Sequence, residues 1–564
     1  MSADRAALPA DHNAGWIALL PAPQAGDKVL AIEINGVRNA EALAYWYDSV
    51  SALTLLGSPQ VSVEAQFRSG EPVAQAASAW RPGLPLPFAS HSFVAVVCRL
   101  GGADGAGAVK LISGPFLDEL VRVVTPEGRV YLDLDNPWSL RRLKGRLSGG
   151  AASSAGRLRF SCMRRLRKLG LEEVEDYAYW IERDVLAEII PAAGYRSSRN
   201  SWHASERLKE KVLGRLGAKL FAPAYGLVGM RQGARASLLS LLRVAACGES
   251  APSTRSAPFS QFLVNPGKCF VRIDAPRRVA GGSQVMCVIP TGAETVTRRR
   301  IELAALEELR STGASPSLIQ LLPRIASERC LCGRPIFVFE AIEGATVDLP
   351  VPDLDALTAR AFELLMKFSQ ESRRECRIGE PEWTQLAEAA FDGATRRYPT
   401  ARTAIDRART ALRAGLLGKT VPLVWQHGDY KLENLIFDAR ARSVRAVIDF
   451  ELALHPGLPM GDLLYLLCYR RLTIGAARDV LEVIEQVLLP QRWQASEREM
   501  LLQYDAEFRL TPALIDACVL AFVIHHVGVR FTYSPADATA LQRMTFALET
   551  LAARLGTGAT QSVP

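Results

Sequence analysis

The sequence predicts two folds in one chain: an α/β doubly wound parallel sheet in the N-terminal half and an α+β two-lobed domain in the C-terminal half. Three observations predict this division. The chain has 564 residues, which is too many for one hydrophobic core. Its first 235 or so residues alternate between strand and helix patterns. From about residue 258 a β-rich region gives way to long helices.

A stretch poor in apolar residues, "CGESAPSTRSAP" (247–258), separates the two halves. Its Ser, Pro and Gly content is typical of a linker. We therefore predict an N-terminal domain at 1–235, a linker at 236–257 and a C-terminal domain at 258–560, with a small lobe at 258–345 and a helical lobe at 346–560.

Composition excludes few classes of protein but sets useful expectations. A net charge of +8 is mild for this length; it fits anionic small molecules such as nucleotides and does not indicate nucleic acid. Ten scattered cysteines without a C-x-x-C pair favour a reducing cytoplasm. We expect no signal peptide and no membrane span, because the most apolar stretch, 513–531, contains charged residues and is typical of a buried helix.

The N-terminal half contains the strand patterns of a buried parallel sheet. "KVLAIEI" (28–34) and "FVAVVC" (93–98) are apolar runs, and a helix pattern follows the first of them at 39–53. From 116 to 136 the chain has the pattern of a helix, a Pro-Glu-Gly turn and a strand. Strands that alternate with helices favour a sheet with helices on both faces.

The segment "RVVTPEGRVYL" (Arg122–Leu132) resembles the turn before the fifth strand of class I S-adenosylmethionine-dependent methyltransferases. The resemblance implies a Gly-rich turn after the first strand and an acidic residue after the second, both for the cofactor. Here Gly36 stands alone, and 51–60 contains no acidic residue. We therefore predict a degenerate domain that serves as a scaffold or binds another ligand, with S-adenosylmethionine binding as the open alternative.

The C-terminal half begins with the patterns of an antiparallel sheet. Strands are predicted at 259–276 and 284–292, a helix at 295–313, and a further strand at 334–344 that reaches a hinge at Glu340–Gly344. Long helices follow. A small β-rich lobe, a hinge and a larger helical lobe would leave room for a nucleotide between the lobes.

The stretch "HGDYKLENLIFD" (427–438) and the following "VRAVIDFE" (444–451) carry the predicted chemistry. The two β-like runs are expected to pair as a hairpin, which would bring Asn434 close to Asp449. Phosphoryl transfer needs a carboxylate that orients the attacking hydroxyl and hard oxygen ligands for Mg²⁺. Asp429 suits the first task, and Asn434 and Asp449 suit the second.

The spacing H-G-D-x-x-x-x-N (427–434) followed by I-D-F-E (448–451) resembles the aminoglycoside phosphotransferase and choline kinase family, relatives of the protein kinases. The resemblance spans 258–560. It implies a two-lobed kinase-like fold, ATP and Mg²⁺ as cofactors, a catalytic Asp429 and a metal-binding Asp449. It also implies that Asp462, in "GLPMGDLLYLL", braces the catalytic loop.

Four other residues of these motifs also have expected roles, and two of them keep two interpretations. Lys431 either contacts the transferred phosphoryl group or is a solvated loop lysine. His427 is expected to hold the loop by hydrogen bonds and not to transfer protons. Glu451 either assists the metal or accepts a backbone hydrogen bond, and Glu433 is expected to be a surface carboxylate.

The small lobe lacks one expected part. Kinases use a lysine on the third strand to hold the nucleotide phosphates and to pair with a glutamate of the next helix. Glu302 occupies the place of that glutamate, but Val288 falls where the lysine should be. Lys268 and Arg272, on the preceding strand, are the nearest basic candidates. Arg272, Glu302 and, at the hinge, Glu340 are predicted to contact the nucleotide, and Gly281 and Gly282 offer either a phosphate flap or a plain turn.

The sequence thus favours an ATP-dependent phosphotransferase that acts on a hydroxyl of a small molecule or sugar. Two alternatives stay open: a pseudokinase that binds nucleotide as a regulatory module, and a bifunctional methyltransferase–kinase that acts on a glycan or natural product. The family resemblance implies acceptors such as aminoglycosides, choline or sugars, and the sequence does not choose among them.

Overall fold

The structure is a computed structural model. It describes all residues except 1–13, 35–39, 56–64, 69–70, 75–83, 100–113, 136–157, 183–184, 192–223, 248–258, 266, 275–283, 312–314, 343, 347–352, 439–442, 532, 534–536 and 558–564. The predicted Gly36 turn, the Gly281–Gly282 turn and the second part of the predicted linker, 248–257, lie outside the described residues.

The N-terminal half forms a mixed sheet. Its strands are β1 (Lys28–Ile34), β2 (Ser49–Leu55), β3 (Ala65–Arg68), β4 (Glu71–Ala74), β5 (Phe93–Arg99), β6 (Val124–Asp135), β7 (Glu173–Glu182), β8 (Val185–Pro191) and β9 (Ala224–Met230). Neighbouring strands β2, β1, β5 and β6 are parallel, whereas β9 runs antiparallel between β6 and β7. The predicted parallel sheet is therefore limited to four strands, because later strands join through antiparallel pairs.

Helices cover both faces of these parallel strands. They are α1 (Ala40–Trp46), α2 (Gly114–Val123), α3 (Leu158–Lys168) and α4 (Leu238–Cys247). Alternate residues of β1 point to opposite faces: Val29 packs in the core that contains α1 and α4, and Leu30 packs in the core that contains α2 and α3. Burial on both faces explains why the strands have continuous apolar sequences.

The C-terminal small lobe continues the same sheet. Its strands are β10 (Phe259–Asn265), β11 (Lys268–Asp274), β12 (Gln284–Pro290), β13 (Ile325–Leu331) and β14 (Arg334–Glu340), and the order β10-β11-β12-β14-β13 is antiparallel throughout. A long helix, α5 (Ala293–Ser311), follows β12. Strand β10 pairs with β8 at Leu263 and Glu188, which joins the two halves into one 14-stranded sheet.

One hydrophobic core also spans the two halves. It contains Trp16 and Leu238 from the N-terminal half together with Val271 and Ile336 from the small lobe. The indole of Trp46 donates a hydrogen bond to the Pro290 carbonyl oxygen at 3.0 Å. The first part of the predicted linker is therefore a packed helix, α4, since its "LLSLLRVAAC" sequence has an apolar face to bury.

The remainder of the chain forms the helical lobe, with its own core. Its helices are α6 (Leu354–Ser372), α7 (Ala389–Arg397), α8 (Arg402–Leu416), α9 (Gly461–Thr473), α10 (Ala495–Phe508), α11 (Pro512–His525) and α12 (Ala538–Thr557), with short helices at Pro316–Ile319, Glu380–Trp383 and Val480–Val483. Two three-stranded sheets are made of β15 (Ala345–Thr346), β18 (Leu435–Phe437) and β19 (Val444–Val447), and of β16 (Arg374–Arg377), β17 (Thr420–Gln426) and β20 (Leu454–Gly457).

Among the described residues, one helical stretch, Pro512–Arg530, is long and apolar enough to cross a membrane by length and composition. Most of it is buried in the core of the helical lobe, where α11 packs against α12 and α8. This location agrees with the buried helix predicted from the sequence.

Candidate active site

A short hairpin brings the predicted catalytic and metal residues together. Strand β17 leads into the loop at 427–431, a 3₁₀ turn at Leu432–Asn434 follows, and β18 then pairs with β19. The backbone N–H of Ile448 donates to the Asn434 carbonyl oxygen at 2.9 Å. The predicted hairpin is confirmed, and it places Asn434 across from the residue that precedes Asp449.

Asp462 braces the loop from the first turn of α9. Its carboxylate accepts hydrogen bonds from the backbone N–H groups of His427, at 2.6 Å, and Gly428, at 2.9 Å. Gly428 has a φ of 74°, and a Cβ there would lie 1.9 Å from the Leu452 carbonyl oxygen. Only glycine fits this turn, because it is both left-handed and closely packed. Burial raises the pKa of the Asp462 carboxyl, and its two N–H donors and His427 oppose that rise.

His427 acts as a structural part of the loop, as expected. Its Nε2 contacts the Ile448 carbonyl oxygen at 2.8 Å, and its Nδ1 accepts from the Asp429 N–H at 3.1 Å. This pattern fits a neutral ring that carries its proton on Nε2. Burial lowers the pKa of His427. The ring also packs 4.5 Å from the ring of Phe450, so it ties the two motifs together.

Asp429 lies between two cations. The Lys431 ammonium lies 3.2 Å from one carboxylate oxygen, and the Arg530 guanidinium forms an ion pair with the other. Lys431 also lies 4.6 Å from the ring centre of Tyr469. Burial alone would lower the pKa of Lys431, but the Asp429 carboxylate outweighs it and raises that pKa. Lys431 is therefore a mostly buried partner of Asp429 and not a solvated loop lysine.

Asn434 and Asp449 fit a divalent cation. The Asn434 side-chain nitrogen donates to the Asp429 carbonyl oxygen at 2.9 Å, which leaves its side-chain oxygen for a ligand. The Asp449 side chain is 28% exposed, and both of its cationic partners contact the same oxygen, Oδ1. A carboxylate oxygen and an amide oxygen are the hard ligands that Mg²⁺ prefers.

A buried charge cluster holds Asp449 from the small lobe. Lys268 lies 2.7 Å from Glu451 and 3.4 Å from Asp449, and Arg299 lies 2.5 Å from each of these carboxylates. Burial alone would raise the pKa of the Asp449 carboxyl, but Lys268 and Arg299 outweigh it and hold that pKa well below its usual range. Asp449 is therefore a fixed anion at neutral pH.

Glu302 occupies its predicted place on α5, yet its cationic partner is Arg299 of the same helix and not a strand lysine. Its other oxygen accepts the backbone N–H of Phe450 at 3.1 Å. Glu451 pairs with Lys268 and Arg299, two contacts that the sequence did not predict.

The position of the expected strand lysine is apolar. Val288 is 1% exposed and packs with Val296, Phe337 and Phe339 between the sheet and α5. Lys268, on the neighbouring strand β11, carries its ammonium to the charge cluster. The sequence left two replacements open, and the structure brings only Lys268 to Asp449.

Arg272 and Glu340 lie together at the hinge end of the small lobe. The Arg272 guanidinium donates to the Ile342 carbonyl oxygen at 3.3 Å. Glu340 ends β14, and its carboxylate lies 3.6 Å from Arg324. These two predicted nucleotide contacts are therefore separate from the cluster around Asp449.

Sequence reasoning missed Arg299 and Arg530. Arg299 is the middle residue of "RRR" (298–300), and nothing in that run marks one arginine as buried. Arg530 had a signal, because it is a charged residue at the end of an apolar run, a position at which a buried charge needs a partner.

Comparison with known proteins supports the C-terminal assignment. Residues 268–500 match the model of the phosphotransferase enzyme family. A search of proteins with curated descriptions gave no match.

Solved structures with similar folds include three kinases and phosphotransferases. Aminoglycoside phosphotransferase APH(3'')-Id from Streptomyces rimosus, in complex with ADP and streptomycin, is 14% identical, with 56% of this chain and 97% of that chain covered and a TM-score of 0.30. APH(4)-Ia, as a thermostable mutant, is 15% identical (53% and 93% covered, TM-score 0.33). An ethanolamine kinase from Plasmodium vivax is 10% identical (52% and 82% covered, TM-score 0.34).

The family match covers the hairpin, the bracing Asp462 and the charge cluster described above. Residues 268–500, which contain these parts of the site, thus match the phosphotransferase enzyme family.

Proposed function

We propose that the protein is an ATP-dependent phosphotransferase that transfers the γ-phosphate of ATP to a hydroxyl of a small molecule or sugar. The observation that supports it most is the hairpin that gathers Asp429, Asn434 and Asp449 under the brace of Asp462. A regulatory module that only binds nucleotide would not need a buried carboxylate held at the loop tip together with two metal-type oxygen ligands.

In this mechanism Asp429 accepts a hydrogen bond from the acceptor hydroxyl and receives its proton. The acceptor oxygen bonds to the γ-phosphorus while the bond from that phosphorus to the β–γ bridging oxygen breaks, and ADP leaves. Lys431, next to Asp429, neutralises charge on the transferred group. When bound at Asn434 and Asp449, Mg²⁺ would supply positive charge to the phosphates.

Lys268 and Arg299 take over the task of the absent strand lysine. Both point at Asp449 and Glu451 from the small lobe, on the side where the phosphates of a nucleotide must lie if Asp449 binds the metal. Two cations shared between two carboxylates can turn toward phosphate oxygens without leaving a buried acid unpaired. Arg272 and Glu340 would contact the other end of the nucleotide at the hinge.

Asp429→Asn tests the proposal, because the amide keeps the shape of the side chain and cannot take a proton. We expect this variant to keep its fold and to lose the ADP release that depends on the acceptor. The pseudokinase alternative predicts no acceptor-dependent ADP release by the wild type, and calorimetry with ATP and Mg²⁺ then shows whether the protein still binds nucleotide.

For the N-terminal half we propose a scaffold, and the shared sheet and shared core favour it. Its four parallel strands with helices on both faces keep a methyltransferase-like origin open. Calorimetric binding of S-adenosylmethionine would favour the bifunctional alternative. The nine cysteines whose side chains the structure describes are free thiols, which fits the cytoplasmic location we propose.

A further inference from the structure

Arg530 lies at the catalytic carboxylate without a complete set of partners. It ends the π-helical turn His526–Arg530 that continues α11, and its side chain is only 4% exposed. The guanidinium stacks 3.4 Å from the ring centre of Tyr465 and forms the ion pair with Asp429. Asp429 and Tyr465 are its polar partners, and among the residues that the structure describes neither Nη1 nor Nη2 meets a further acceptor in hydrogen-bond geometry.

Burying these unsatisfied donors destabilises the folded state unless a ligand accepts hydrogen bonds from them. A guanidinium carries five N–H donors, and buried donors are almost always satisfied. Asp429 cannot satisfy Arg530 alone, because its second oxygen faces Lys431. Glu433 adds negative charge near Lys431, so the unmet demand lies on the Arg530 side of the carboxylate.

The two histidines that precede Arg530 on this helix bring no further positive charge to it. His526 is held between the hydroxyls of Tyr465, at 3.1 Å, and Tyr533, at 2.9 Å. Burial lowers the pKa of His526 to about 3 and that of His525 to about 4. Both rings are neutral at physiological pH, and the wall around Arg530 is aromatic.

We infer that the acceptor carries an anionic group, a carboxylate or a phosphate, which Arg530 binds while the acceptor hydroxyl lies on Asp429. This inference rests on the proposed function and names the substrate class for the same site. A planar guanidinium matches the two oxygens of such a group. Because Arg530 contacts Asp429 directly, the anionic group and the reactive hydroxyl must lie within a few bonds of each other.

Anion binding also solves a problem at the catalytic carboxylate. For the acceptor hydroxyl to donate a hydrogen bond to Asp429, the contacts of Lys431 and Arg530 with this carboxylate must loosen. The transferred phosphoryl group offers a partner to Lys431, and an anionic acceptor offers one to Arg530. An aminated acceptor would instead bring a third cation to Lys431 and Arg530, which like-charge repulsion disfavours.

Matched acceptor pairs test the inference. ADP release with Mg²⁺ and ATP is measured for glycerate against glycerol and for ribose 5-phosphate against ribose, with glucosamine against glucose as the cationic pair. We expect kcat/KM to be higher for an anionic member by about tenfold or more, as charge-assisted hydrogen bonds give. In Arg530→Met this preference should disappear through a raised KM, and Arg530→Lys should keep part of it.

A matched control is Arg554→Met. Arg554 is also partly buried, lies near an acid, Asp516, and belongs to α12 away from the loop. We expect this variant to keep the preference for anionic acceptors. Circular dichroism and thermal melting identify variants that fail to fold, and Arg530→Lys then decides the question.

Three results would overturn the inference. The first is a higher kcat/KM for the neutral or aminated member of a pair. The second is that no anionic member raises ADP release above the level with water alone. Alternatively, Arg530→Met lowers kcat equally for both members of a pair, which would assign Arg530 to the transition state. If Asp429→Asn leaves ADP release unchanged, the proposed function itself fails, and that outcome is separate from all three.

Discussion

Replacing Lys268 tests whether this residue takes the role of the strand lysine of kinases, whose position is occupied here by Val288. We predict that Lys268→Met weakens ATP binding in the presence of Mg²⁺ and leaves the lobes folded. The ammonium lies 2.7 Å from Glu451 and 3.4 Å from Asp449. These acids hold it on the phosphate side of Asp449, where the nucleotide would become its third partner.

The size of the effect follows from the value of one charged contact. A hydrogen bond between charged groups contributes roughly 1.5–3 kcal/mol. Since about 1.4 kcal/mol is a factor of ten, the dissociation constant for ATP should rise roughly 10- to 150-fold. Arg299 remains in the cluster and limits the loss. Lys268→Arg should recover part of the affinity because it keeps the charge.

The assay is calorimetric titration of each variant with ATP at saturating Mg²⁺. Arg272→Met is the matched control: it removes a cation from the same strand at its hinge end, where the guanidinium donates to the Ile342 carbonyl oxygen. A neutral hydrogen bond is worth about 1 kcal/mol, so its loss should stay below about tenfold. The reasoning is refuted if Lys268→Met binds ATP like the wild type, or if Arg272→Met shows the larger loss.

Three further predictions concern the loop, the helical lobe and the join between the halves. Asp462→Ala leaves two buried N–H groups without acceptors, so we expect about 2–5 kcal/mol less stability and a large fall in kcat, measured by chemical unfolding and ADP release. Acidification should destabilise the fold: burial lowers the pKa values of His427, His525 and His526, so the unfolded chain binds more protons. The contribution of these histidines to the free energy of unfolding is therefore fully present above about pH 6.5 and is lost as the pH falls, by up to about 3 kcal/mol for His525. Tm measured across a pH series would show this loss, and a flat Tm between pH 7 and 4.5 would contradict it. Residues 258–564 expressed alone should aggregate, because the outer face of the small-lobe sheet loses its cover, and a soluble monomer in gel filtration would count against the shared core.

The catalytic loop could be predicted because its chemistry is local in sequence. A fixed spacing from His427 to Asn434, a polar turn and a second strand are enough to define the hairpin and to place Asp449. The bracing Asp462 came from the family resemblance, and its two backbone acceptor bonds agree with it. Val288 was expected on the third strand of the small lobe, and it lies there as a buried apolar residue.

Long-range partners could not be predicted in the same way. Arg299 and Arg530 lie 150 and 101 positions in sequence from Asp449 and Asp429, the acids that they contact. A local sequence pattern does not indicate which arginine will be buried. The pairing of β8 with β10, which joins the two sheets, could not be predicted either. Both have ordinary strand sequences, and edge pairing between strands is made by backbone groups. Consequently the chain was expected to divide at a linker where a packed helix, α4, lies.

The most direct test of the central claim is ADP release by Asp429→Asn beside the wild type and Asp438→Asn. Asp438 is an acid of the same hairpin that bonds Ser443 in the turn and takes no part in the proposed transfer. A positioned carboxylate contributes about 10²- to 10⁴-fold, so Asp429→Asn should lose at least two orders of magnitude in kcat. The Asp438→Asn control should turn over ATP like the wild type. Equal ADP release by Asp429→Asn and the wild type would contradict the account.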